Sequence, residues 1–333
     1  MMRHAVAASA LVALAIWSTP LMAGAQAAHI HVVRPGETLA SIAQAYYGDP
    51  RRENVLVAEN GLTTQGGAAI VVGMRLVIPR VAYHRVQTGE TWNQITERYY
   101  GDARRAFMLI EANNGTAGGQ PDEGAELLVP YPLRHVANQN DSLRRVGLLY
   151  FGNEGPETIR RLRRFNNLRG LRLARGQVVL APVADLLLSE EGRRLIEERT
   201  GDTVDIGDTR ALQQRIDEQL PELHEHVRRG RFTEVISLGN RLLGAGELTG
   251  NQVVTIQRDL ATAYVALDRV DMAVEAFRTM LTRQPDLEMD VTRTSPTVLR
   301  PFRQAREELE RESQERAAAA PDAAVADAGA PDD

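Results

Sequence analysis

The chain has 333 residues and a formal net charge of −5, enough length for roughly two to four domains. It contains no cysteine, which excludes disulfides, thiolate metal sites, cysteine nucleophiles and lipidation on an N-terminal cysteine. It contains no lysine either, so all 39 basic side chains are arginine and Schiff-base chemistry on a lysine is excluded.

Residues 1–27 read as an export signal. Arg3 gives a weakly basic start, Ala5 to Trp17 is a small-apolar run, Pro20 breaks it, and Ala25-Gln26-Ala27 offers a small-residue cleavage site. The run is too short for a comfortable membrane span of about 20 residues, and no later segment is apolar enough. The expectation is an exported protein, periplasmic or envelope-associated, with no membrane span after cleavage. Charge then divides the rest. Residues 29–183 carry 19 Arg against 14 acids, and residues 184–333 carry 19 Arg against 30, which suggests two kinds of surface.

The first half repeats itself. Aligned without gaps, His31–Asn60 and His84–Asn113 agree at 14 of 30 positions, and a weaker third copy starts at His135. Each copy reads as strand, turn, helix, helix, strand. Leu39, Ile42, Ala43 and Tyr46 fall at helical spacing in the first copy; Trp92, Ile95 and Tyr99 do so in the second, and Leu143, Val146 and Tyr150 in the third. Thr38, Thr91 and Ser142 stand where N-caps belong. The phrases YYGDPRR and YYGDARR form the corner between the two helices. Gly48 and Gly101 suit a left-handed helix end, and Asp49 and Asp102 cap the next helix rather than acting as acids. A closing strand ends at Pro79, Pro130 or Pro182.

This layout resembles the LysM module. The residues that carry the resemblance are Pro35–Leu39, Ile42, Tyr46–Gly48, Asn60 and Gly73–Pro79, then Thr88–Trp92, Ile95, Tyr99–Gly101, Asn113 and Leu127–Pro130. The resemblance implies a βααβ fold that binds N-acetylglucosamine-containing glycans, above all peptidoglycan. The implied groove sets Gly36, Glu37 and Thr38 against Asn60, Gly61 and Ile70, and in the second copy Gly89, Glu90 and Thr91 against Asn113. The third copy departs. It has Asn140-Asp141-Ser142 where the others have Gly-Glu-Thr, and residues 134–183 carry ten Arg against three acids, so its glycan binding is in doubt.

From Asp185 the sequence reads as helical, over 185–199, 209–229, 232–243, 251–267, 272–283 and 296–315. Leu260, Ala261, Tyr264, Ala273 and Phe277 resemble a tetratricopeptide repeat, which implies a surface for a protein partner. The end of the chain, 317–333, is low-complexity and acidic and is expected to be disordered.

No enzyme is legible. His224-Glu225-His226 lacks the spacing of a metal pair, and no nucleophile-elbow or phosphate-loop motif appears. The expected fold is therefore multi-domain. It has a signal at 1–27, tandem small α+β modules at 29–80 and 82–132, a degenerate third at 134–183, and an all-α tetratricopeptide-like domain at 185–316. The expected function is a non-catalytic peptidoglycan anchor with a protein partner and with no cofactor, metal or nucleic acid. The alternative is an envelope scaffold whose modules bind only proteins.

Overall fold

A computed structural model describes residues 28–62, 70–116, 118–201, 204–205 and 207–319. The expected signal at 1–27 and the acidic tail from residue 320 lie outside these residues.

Three small units come first, each with two antiparallel strands and two helices. In unit one, β1 (Ala28–Val32) pairs with β2 (Arg75–Pro79), so that Ile30 faces Val77. Between them lie α1 (Leu39–Tyr47) and α2 (Glu53–Glu59), joined by a 3₁₀ turn at Pro50–Arg52. Unit two has β3 (Ala82–Arg85), α3 (Trp92–Tyr100), α4 (Ala106–Ala112) and β4 (Glu126–Val129). Unit three has β5 (Tyr131–Val136), α5 (Leu143–Phe151), α6 (Pro156–Phe165) and β6 (Val178–Val183). The corner between helices works by capping. Gly48, Gly101 and Gly152 are left-handed, and Asp49 and Asp102 each accept a backbone N–H two residues on at 3.0 Å.

Burial follows the helical spacing with one correction. In unit two Tyr100, not Tyr99, is the fully buried tyrosine. It packs edge-on against Phe165 of unit three, with centroids 5.4 Å apart, and its hydroxyl donates to the Pro130 carbonyl at 2.9 Å. Tyr99 leans on His84 instead. A neighbouring unit, invisible in the local repeat, decides which tyrosine is enclosed.

The units are packed together rather than strung out. Val55 of α2 joins the core of unit three, and the Tyr131 hydroxyl donates to Glu59 Oε1 at 2.9 Å. The segment after β6 is irregular through Leu188, where a helix was expected. The Val81 N–H donates to the Leu186 carbonyl at 3.1 Å, and Leu186 is fully buried, so tertiary packing overrides helix propensity there. The helix α7 (Glu190–Thr200) begins only at the Ser189 cap. It lies on unit one, where Ile196 enters the core.

The rest is helical: α8 (Asp208–Arg228), α9 (Phe232–Leu243), α10 (Gly250–Ala266), α11 (Val270–Arg283) and α12 (Pro296–Ala319). Sequential helices pack as neighbours, and α8, α10 and α12 also touch in series. Leu260, Ala261, Tyr264, Ala273 and Phe277 are all buried in one core. The α12 helix runs to Ala319, three residues into the segment expected to be disordered.

Candidate functional site

In unit one the open surface lies between the turn after β1 and the loop before β2. The β ladder continues past the strand ends, with Val33 N–H to Met74 O at 2.9 Å and Gly73 N–H to Val33 O at 2.8 Å. This brings the two segments side by side. Gly36 supplies the positive φ of 83° that the turn requires.

The turn is braced from within. Glu37 Oε2 accepts the Arg34 N–H at 2.7 Å and lies 2.8 Å from His31 Nε2. A carboxylate can only accept, so His31 Nε2 bears a proton towards it, and Nδ1 lies 3.1 Å from the Tyr46 hydroxyl oxygen. Burial alone would raise the Glu37 carboxyl. The bonds from Arg34 N–H and His31 outweigh it and hold the group below the usual carboxylate range. Thr38 closes a capping box with Ser41.

Asn60 is also engaged inside the unit. Its amide N–H groups donate to Leu56 O (2.8 Å) and Val77 O (2.9 Å), and its Oδ1 accepts the Val77 N–H at 2.7 Å. The side chain thereby stands in for a third strand beside β2. Of the residues named from the sequence, Glu37, Thr38 and Asn60 shape the site through these bonds, and Ile70 packs against the unit core. What remains open is the backbone at Gly36 and Gly61, where an added Cβ would meet nothing within 4 Å, together with Val71 and Val72, which are 63% and 62% exposed. Sequence reasoning missed these two valines and the histidines. The HIH segment of β1 was the available signal, because it turns His29 and His31 inward while Ile30 and Val32 face out.

Unit two repeats the brace. His84 Nε2 lies 2.6 Å from Glu90 Oε2, which also accepts the Gln87 N–H at 3.1 Å. Burial of Glu90 acts upward, and the bonds from His84 and Gln87 reverse it, leaving its carboxyl below the usual range. Thr91 caps α3 with Gln94, and Gly89 stays open. The facing loop, however, carries the helical half. Gln213 donates to Gly124 O at 2.9 Å and accepts the Glu126 N–H at 3.0 Å. The Gly250 N–H donates to Glu123 O at 2.8 Å, and Arg210 donates to Asn113 Oδ1. A polar cavity of about 440 Å³ remains between α8, α10 and this loop. Asn113 is therefore in contact with the helical half through Arg210, whereas among the described residues Gly36, Gly61, Val71 and Val72 of unit one stay uncovered.

Residues 31–79 match the family model described as LysM domain. That is the unit with the open groove, so one LysM domain stands at the N-terminal side of a chain whose second half is helical. The chain is also 27% identical over 123 residues to two esterases of Mycobacterium tuberculosis, one from each of two strains. The match covers 37% of this chain and 26% of the relatives, so the chain spans about a quarter of the length of the curated relatives it matches. No solved structure matches.

Among the described residues no cluster of three or more His, Asp or Glu could hold a metal ion, and no helix is long and apolar enough to cross a membrane. His224 lies 3.6 Å from Asp259, and His226 lies 3.7 Å from Glu222. The two histidines of the sequence motif thus go to different carboxylates.

Proposed function

We propose that this chain is an exported, non-catalytic adaptor that holds peptidoglycan, or a related N-acetylglucosamine glycan, through its LysM domain and a protein through its helical half. The single observation that carries the reading is the LysM match on the unit whose groove is open. An N-acetyl group offers one N–H, one C=O and one methyl. Backbone groups at the Gly36 and Gly61 turns suit the polar pair, and Val71 or Val72 can cover the methyl. Units two and three are read as LysM-like copies put to other uses, and the paired helices α8–α11, with α12 as a cap, as a tetratricopeptide-like platform. A scaffold that binds only proteins is the second reading. It is favoured by unit two, whose groove-side loop already carries a helical domain.

Co-sedimentation of residues 28–333 with insoluble peptidoglycan at moderate salt tests the choice. Saturable binding, lost in Val71→Glu/Val72→Glu with the melting temperature unchanged, supports the glycan anchor. No binding by the parent chain refutes it and leaves the scaffold.

A further inference from the structure

The three units present equivalent loops of opposite character. Each loop begins at the pinned asparagine (Asn60, Asn113 or Asn166) and ends at the glycine whose N–H returns to the first strand (Gly73, Gly124 or Gly176). The loop of unit one contains no charged residue, and that of unit two contains Asp122 and Glu123. The loop of unit three contains Arg169, Arg172 and Arg175 with no acid.

The structure sets this basic loop against the turn that opens α5. Ser142 and Arg172 form a β-bridge. The Leu143 N–H donates to Leu171 O at 2.9 Å, and the Leu173 N–H to Asp141 O at 3.2 Å. Arg144 follows two residues after Ser142. Arg144, Arg169, Arg172 and Arg175 are all exposed, and among the described residues no carboxylate lies within ion-pair distance of any of them. Among the described residues the ion pairs between the helical half and the units are Asp185 to Arg52, Glu247 to Arg85 and Arg283 to Glu123.

We propose that this basic edge of unit three binds a polymer with repeating phosphate groups. Among the described residues these four guanidinium groups have no counter-charge, so their mutual repulsion is unrelieved. A ligand with a negative charge at every repeat relieves several at once, and each fork can take two oxygens of a phosphate. A neutral glycan gains nothing from them. The loop has no aromatic ring on which a base could stack, so the phosphate chain is the part recognised. Each exposed contact is weak alone, and linkage along the polymer supplies the affinity.

Binding of residues 28–333 to inorganic polyphosphate is measured at about 150 mM salt. It is compared with poly-glutamate of similar length and with phosphatidylglycerol vesicles. The variants are Arg169→Ala/Arg172→Ala/Arg175→Ala and a control, Arg241→Ala/Arg269→Ala/Arg300→Ala, drawn from exposed arginines of the helical half. The expected result is saturable polyphosphate binding, weakened more than tenfold in the loop variant and less than twofold in the control. The loop variant also has a shallower salt dependence, and its peptidoglycan co-sedimentation is unchanged. Equal weakening in both variants, equal affinity for poly-glutamate, binding to vesicles alone or no binding to polyphosphate would each overturn the proposal.

Discussion

His31 and Tyr46, fifteen residues apart, meet through Nδ1 and the phenol oxygen at 3.1 Å. The same pair recurs as His84 with Tyr99 at 3.4 Å and His135 with Tyr150 at 2.8 Å. On the other ring nitrogen each histidine meets the turn carboxylate, Glu37, Glu90 or Asp141. A three-group relay therefore fastens the site turn to the first helix in every unit. It explains why the first strand of each copy carries a buried histidine where an apolar residue would otherwise be expected.

The relay sets an acid limb of stability. The Glu37 and Glu90 carboxyls titrate below their usual value in the folded chain. Their contribution is fully present above the unfolded value of about 4.5 and is lost as pH falls through the folded value. Glu37→Gln/Glu90→Gln is expected to lower stability at pH 7 and to flatten its decline between about pH 5 and pH 3. Urea unfolding across that range checks it, and parallel limbs in parent and variant would contradict it.

The asparagine pins make a second expectation. Removing the Asn166 amide strands the Leu180 N–H and the Leu180 carbonyl, which it holds at 2.7 and 2.8 Å, while the Leu162 carbonyl keeps the Asn166 backbone N–H at 3.1 Å. A half-buried group left without a partner costs about 1–3 kcal/mol. Asn166→Ala should lose at least that much in chemical denaturation, and Asn166→Asp should recover little, because a carboxylate cannot donate to Leu180 O.

Much of this architecture was legible in the sequence, for a physical reason. The helix corners depend on residues within one turn of each other, so Gly48, Asp49 and Thr38 announce their roles by spacing. The relay was not legible, because His31 and Tyr46 are brought together by the fold. Glu37 and Asn60 could be placed at the site, but their partners could not be named. Unit-to-unit packing was beyond local pattern altogether. Nothing near Tyr100 says that Phe165 will cover it, and nothing near Gly124 says that Gln213 will bind there.

Docking of the helical half on unit two has its own test. Arg210 donates through its backbone N–H to Glu126 Oε2 at 2.9 Å and through its guanidinium to Asn113 Oδ1 and the Glu126 carbonyl. Arg210→Ala keeps the first bond and removes the others. Amide exchange in the first turns of α8 and in β4 should then speed up, while exchange within α9–α12 changes little. An unchanged exchange rate would contradict a docking role for the Arg210 guanidinium.

A tight approach of α7 to the backbone of unit one makes the last expectation. A Cβ on Gly192 would sit 2.5 Å from the Tyr46 carbonyl oxygen and 2.8 Å from its Cα, closer than van der Waals contact allows, so α7 must move if a methyl is added. Gly192→Ala would favour the isolated helix by about 1 kcal/mol through its higher propensity. Any net destabilisation therefore reports the lost contact with unit one rather than a weaker helix. Overpacking of this kind costs about 1–3 kcal/mol. The same displacement should break the bonds from Ser189 to the Tyr46 and Ala45 carbonyls. The expected outcome is a lower melting temperature with faster amide exchange at the end of α1 and no change in exchange within α8–α12. A variant as stable as the parent would show that α7 rests on unit one without contributing to its stability.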